Sequence, residues 1–178
     1  MIIEYSFTHP NVFPPTRANP SDAGLDIFFS PIQRGASMSI APGESVVLQT
    51  GLRFGIPHGH MLQIMNRSSV ASKRSLIVGA CVVDSGYDGE VFVNLHNVGT
   101  KIQEVKAGEK IAQAVLIPVV PFRAYCRHDG DLYETYPITI SDRGDGALGS
   151  TDIKDKPMID KDQNKKYNDI YLSSSKSD

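Results

Sequence analysis

The sequence predicts an all-β fold, a sandwich or barrel with at most one short helix, on three observations. Val- and Ile-rich runs of strand length dominate residues 1 to about 140. Turn signals such as "APGE" (41–44) and "KAGEK" (106–110) separate them at the spacing of an all-β sandwich or barrel. Apolar residues at helical spacing are scarce. A chain of 178 residues suffices for one domain with a good core and is too short for two ordinary ones.

The elements follow in order. "SVVLQTGLRFGI" (45–56) and "HMLQIM" (60–65) read as strands. "SSVASKRS" (68–75) is the one helical candidate, a turn or two capped by Ser68. "SLIVGACVV" (75–83) and "EVFVNLHNV" (90–98) read as strands, and their facing ends as the arms of a β-hairpin. Gly86 and Gly89 are its bending points, with Asp84, Tyr87, Asp88 and Glu90 between the arms. "IAQAVLIPVV" (111–120) reads as the last strand. Composition changes after residue 140: "SDRGDGALGSTD" (141–152) is Gly-rich, and 153–178 is rich in Lys, Asp, Ser and Asn. The expected division is a β domain over 1–152 and a polar, flexible tail over 153–178. Such a tail lacks the apolar area to offset its ordering entropy alone. Ile170, Tyr171 and Leu172 would let it order on a partner subunit.

Bulk properties exclude several classes. A net charge of −2 and a pI of about 6.2 carry no basic excess for stable nucleic-acid binding. Cys81 and Cys126 stand at no metal spacing and read as free thiols of a reducing compartment. "MIIEYSFTHP" lacks the basic and apolar regions of a signal peptide, and no run has the length to span a bilayer. The expectation is a soluble cytoplasmic protein with no membrane partner, or one of the host cytoplasm or nucleus if viral.

Several stretches could carry chemistry, each beside a plainer reading. "VVDSGYDGE" (82–90) holds an acid and an aromatic near its tip, although Asp, Ser and Gly are also ordinary turn residues. "NRSSVASK" (66–73) sets Arg67, Ser68 and Ser69 at a helix start, a phosphate cradle or simple capping. "RGDGALGST" (143–151) offers an anion loop without the ending of a Walker loop, or a linker. Gln113 in "AGEKIAQAV" is an amide in an apolar strand and must find partners, whether protein, water or ligand. Asp26 in "AGLDIFF" is either a turn-capping acid or part of a site. His58 and His60 lack the further ligands that zinc needs. Carboxylate-assisted attack by water is therefore the main catalytic option.

In this order, "AGLDI", "NRSSVA", "VVDSGYDGEV", "GEKIAQ" and "RGDGALGST" closely resemble the signature segments of the trimeric dUTPases, the deoxyuridine triphosphate nucleotidohydrolases. The resemblance runs from about residue 20 to 152. It implies a distorted jelly-roll-like β-barrel, assembled as a homotrimer with active sites at subunit boundaries. The implied reaction is hydrolysis of dUTP to dUMP and pyrophosphate, limiting uracil in DNA and supplying dUMP for dTMP synthesis. Asp84 would be the general base for water attacking the α-phosphorus. Ala80, Cys81, Val82, Val83 and Phe92 would line the deoxyuridine slot, and Tyr87 would pack under the sugar and exclude a 2′-hydroxyl. Arg67, Ser68, Ser69 and Gln113 would bind the triphosphate from a neighbouring chain. A closing loop would bring Arg143, Ser150 and Thr151 to the γ-phosphate, with Leu148 and Gly149 over the base. Mg²⁺ would be held by phosphates and water with no direct protein ligand, and Asp26 would face its water shell or orient its neighbours.

The chain departs from the family pattern in places. Leu148 stands where an aromatic usually stacks on uracil, and Ala147 replaces a glycine. Cys81 stands where glycine is frequent, and Asp88 replaces a frequent basic residue. The link over 119–140 is long, and it and the tail are the segments open to a protein partner. Two alternatives stand beside hydrolysis. A dCTP deaminase-related enzyme would carry a glutamate where this chain has Asn94. A dUTP-binding regulatory protein would not need Asp84.

Overall fold

The structure is a computed structural model that describes residues 1–126, of which Met1–Arg123 form one unit. Its strands are β1 (Glu4–Phe7), β2 (Leu25–Phe28), β3 (Ser37–Ile40), β4 (Ser45–Gly55) and β5 (His60–Met65). The helix α1 (Ser68–Arg74) follows, then β6 (Leu76–Val78), β7 (Val82–Asp84), β8 (Val91–Asn97), β9 (Gln103–Lys106) and β10 (Lys110–Pro118). One four-stranded sheet runs β1-β4-β8-β6, a second β2-β10-β5-β7, and β3 pairs with β9 as a ribbon. All of these pairings are antiparallel. Among the described residues the expected all-β class with one short helix is what forms, with sheets that do not close on each other.

Alternation of side chains makes the core. Along β8, Val91, Val93, Leu95 and Asn97 are buried, while Phe92, Asn94 and His96 alternate with them on the other face. The same period in β5 buries Leu62 and Ile64. Ile27, Leu48, Leu52, Ile111 and Ala114 of the two four-stranded sheets join them in one apolar cluster, which also takes Ile40 and Val105 from the ribbon and Val70 from the helix. Asn97 is buried without penalty because its amide donates to the Ile40 and Lys101 carbonyls and accepts from the Gly99 amide.

Three sequence expectations change. The run 75–83 is two strands in different sheets: β6 pairs with β8, and β7 with β5. The break falls at Gly79, whose N–H donates to the Asn94 carbonyl at 2.9 Å while a Cβ there would overlap Asn94 and His96. The expected hairpin arms therefore do not pair with each other, and "DSGYDGE" is a corner that carries the chain between sheets. Ser68 is not the helix cap either. Arg67 holds that position in an extended conformation without a side-chain cap bond, and Ser68 is the first helical residue. The short strands β1, β3 and β9 were not expected; their positions are largely exposed and polar, so no apolar run marks them.

Candidate active site

The corner opens a cavity of about 210 Å³ between the two sheets. Ala80, Cys81, Val82, Val83, Asp84, Tyr87 and Phe92 line it, all of them singled out from sequence, together with Ile64, Glu90 and Val91. Each side of the cavity is held by a different sheet. Asp84 ends β7 opposite Met61 of β5, and the Ile64 amide donates to the Cys81 carbonyl at 2.7 Å. The Asp84 side chain is exposed to solvent. Gly86 at φ 90° turns the chain, and the Tyr87 amide closes the turn on the Asp84 carbonyl at 3.2 Å. The Tyr87 hydroxyl donates to the Glu90 carbonyl at 2.9 Å. The ring folds back over Gly89, where any Cβ would overlap its hydroxyl.

A second cluster lies where β2, β10 and β5 meet. Gln113 pairs with Asp26 on one side and Met65 on the other. Arg67 Nε donates to Asp26 Oδ1 at 2.7 Å, and Lys110 Nζ lies 2.8 Å from Asp26 Oδ2. Lys110 also stands over the Phe28 ring, 5.7 Å from its centroid. Burial acts to raise the Asp26 pKa, but the hydrogen bonds and charges of Lys110 and Arg67 outweigh it and hold the carboxyl below its ordinary value. Gln113 Nε2 donates to the Asn66 carbonyl at 2.9 Å, while Asn66 Oδ1 accepts the Val78 amide at 2.7 Å. Backbone thus takes one donor of the Gln113 amide. Ser68 and Ser69 are on the helix start beside Arg67, Ser69 exposed to solvent.

The two clusters are not adjacent within one chain. Asp84 pairs at the Met61 end of β5 and Gln113 at the Met65 end, and Asp26 and Asp84 lie on opposite edge strands of the sheet. Strand spacing and rise put Asp26 and Asp84 on the order of 20 Å apart. A larger hollow of about 520 Å³ near Pro10, Phe13 and Arg34 contains none of the sequence-predicted residues.

Sequence reasoning gives no role to Lys110 and only a turn position to Glu90. "GEKIAQ" contains Lys110, but nothing in the spacing shows that it shares a carboxylate with Arg67. Arg143, Leu148, Gly149, Ser150 and Thr151, most of the 119–140 link, and the tail lie outside the described residues. Among the described residues no group of three or more His, Cys, Asp or Glu could hold a metal ion, and no helix is long and apolar enough to cross a membrane.

The dUTPase family model matches residues 11–152. The deoxyuridine 5′-triphosphate nucleotidohydrolase of Escherichia phage T5 is 31% identical over 156 residues, covering 86% of this chain and 100% of that one. That of Mus musculus is 34% identical over 137 residues, covering 77% and 76%. Among solved structures, the dUTPase of phage phi11 of S. aureus superposes with a TM-score of 0.66 at 22% identity, covering 74% of this chain and 99% of that one. A point mutant of the same phi11 enzyme is described as coordinating a structural Mg(II) ion. The Staphylococcus bacteriophage 80alpha dUTPase with dUpNHpp gives a TM-score of 0.69 at 23% identity, covering 84% and 97%. The matched segment contains both clusters described above, and on that evidence the chain belongs to the dUTPase family.

Proposed function

We propose that this protein hydrolyses dUTP to dUMP and pyrophosphate, in a site completed by neighbouring copies of the chain. The observation that carries the reading is the corner cavity: an exposed carboxylate, Asp84, lines a slot whose other walls are mostly apolar, with Tyr87 and Glu90 beside them. A slot of that size suits a pyrimidine nucleoside, read at its edge by main-chain groups. Asp84 accepts a proton from a water and orients it toward the α-phosphorus. Tyr87 packs against the sugar and leaves no room for a 2′-hydroxyl.

Arg67, Ser68, Ser69 and Gln113 serve the triphosphate, and Lys110 adds positive charge beside them. Because that cluster is on the order of 20 Å from Asp84 along and across the strands, one chain cannot apply both to one phosphate group. A homotrimer that sets the cluster of one chain against the corner of another removes the difficulty. Both oxygens of Asp26 are engaged by cations, so its role is to orient Arg67 and Lys110 rather than to bind metal. The donor set fits Mg²⁺ carried on phosphate oxygens and water, where the ion would neutralise charge on the phosphates. The "RGDGALGST" segment supplies by its sequence the remaining donors, Arg143, Ser150 and Thr151, with Leu148 and Gly149 toward the base. A cytoplasmic location, where nucleotide pools lie, belongs to the same reading.

Deamination is the weaker alternative. Asn94 does not line the cavity; its Oδ1 lies 2.7 Å from His96 Nε2, and its Nδ2 donates to the Val46 carbonyl at 3.2 Å. The direct test is release of pyrophosphate from dUTP with Mg²⁺, beside release of ammonia from dCTP. Asp84→Asn is expected to lower kcat by about 10²–10⁴ while nucleotide still binds. Binding of dUTP without its consumption by the unaltered protein would sink the enzymatic reading and leave a nucleotide-binding regulator.

A further inference from the structure

We propose that Glu90 is the positioning residue for Tyr87, and through it sets the preference for deoxyribose over ribose. The proposal rests on the hydrolysis of dUTP argued above and goes beyond it, because it assigns sugar selectivity to a network on β4 rather than to the corner alone.

Tyr87 is 47% exposed, so packing alone does not fix its ring. The hydrogen bond from its hydroxyl to the Glu90 carbonyl, at 2.9 Å, makes the ring's place depend on where that carbonyl stands. The Glu90 backbone is fixed in turn by its own side chain. Oε1 accepts the Gly51 amide at 2.9 Å, and the Thr8 hydroxyl approaches Oε2 at 3.5 Å. Gly51 lies in the bulge where the register of β4 on β8 shifts between Gln49 and Leu52, so its N–H has no strand partner in that ladder. Glu90 supplies the missing acceptor. The bulge itself requires glycine: its φ is 67°, and a Cβ there would overlap Val12 and lie 2.9 Å from His9 Nε2.

Two further ties hold the same segment to β4. The Thr50 hydroxyl donates to the Val91 carbonyl, and Arg53 pairs with Asp88. The Asp88 carboxylate is 89% exposed, so that pair is the weaker tie. Asp84, by contrast, is placed by β7 on β5 in the other sheet. The corner thus has two anchors in different sheets, one for the acid and one for the aromatic wall, joined through the turn in which the Tyr87 amide meets the Asp84 carbonyl. Loosening the second should change which sugar is accepted more than how the water is activated.

The test is the ratio of kcat/KM for dUTP over UTP, with KM and kcat resolved for each. Glu90→Ala should lower the ratio by about tenfold, chiefly through dUTP KM and a gain with UTP. Glu90→Gln keeps an acceptor for the Gly51 amide and should hold the ratio near that of the unaltered enzyme. Tyr87→Phe keeps the ring but removes the tie and should lower the ratio about threefold to tenfold. Adding Glu90→Ala to Tyr87→Phe should then cost little more selectivity, as two changes on one path do not add. An unchanged ratio in Glu90→Ala or in Tyr87→Phe overturns the proposal, as does fully additive loss in the double variant. Should Glu90→Ala fail to fold, Tyr87→Phe decides it, an unchanged ratio again overturning the proposal. If the unaltered protein does not consume dUTP, the failure lies with the function itself and not with Glu90.

Discussion

Asp26 shows how one acid gathers two cations from different segments around itself. Its two oxygens hold Arg67 and Lys110 at 2.7 and 2.8 Å, and Gly24 leaves room for Gln113, since a Cβ there would lie 2.9 Å from Gln113 Oε1. A sequence shows that Asp26 sits in an apolar strand, but the choice between turn-capping and site acid depends on partners that come from β10 and from beyond β5. Because the folded pKa is lowered, the ion pairs stabilise the fold above the ordinary aspartate value, and that stability is lost as pH falls through the folded one. Asp26→Asn should cost about 1–2 kcal/mol at pH 6. The gap between the two proteins should begin to narrow below about pH 4 and shrink further as pH falls. Urea midpoints at about pH 6 and about pH 3 check both statements; a constant gap would show that the charge of Asp26 is not what matters.

Among the elements, α1 is too short to be stable alone and is held by its ends. Ser75 at φ 54° turns the chain out of the helix, its N–H meeting the Ala71 and Val70 carbonyls. Arg74, in the last turn, donates to Gln103 at 3.2 Å and to Glu109 at 2.7 Å, and also to the Glu104 carbonyl. That clamp ties the helix after Arg67 to the turn before Lys110, so both cations of the second cluster depend on it. Arg74→Ala should lower stability by about 1–3 kcal/mol, with dUTP KM raised more than kcat is lowered. Chemical denaturation and steady-state kinetics measure the two effects.

The same scale shows what is legible in the chain. The long strands β4, β5, β8 and β10 are plain from their Val and Ile runs, because burial on one face writes a period into the sequence. The division of 75–83 is not, because apolar residues serve equally in a strand that crosses sheets, and only the crowding at Gly79 shows where it bends. The corner residues emerge as a set through the order of the motifs. Glu90 escapes because a bulge in another strand, invisible to local patterning, defines its work.

For the whole molecule, the proposed sharing of one site between the two separated clusters would make assembly a condition of activity rather than an addition to it. Size-exclusion chromatography with light scattering should give three times the 19.4 kDa of one chain under assay conditions. Mixing an Asp84→Asn chain with an Arg67→Ala chain should restore activity that neither has alone, to a fraction on the order of a third or less of the original. No recovery on mixing would overturn the sharing of one site between chains. The sheet that carries both clusters has a further consequence, in the order of events during synthesis. Its edge strand β2 pairs with β10 at Leu25 and Ala114, so beyond the single bridge of Thr16 to Asp26 the early segment lacks its strand partner until the late one has left the ribosome. Such non-local closure makes folding slow relative to helical domains of similar size, on a scale of about milliseconds to seconds. The nascent chain must therefore keep "LDIF" from wrong pairings until "KIAQAVLIP" arrives, and a charge such as that of Asp26 within a waiting strand disfavours such pairings.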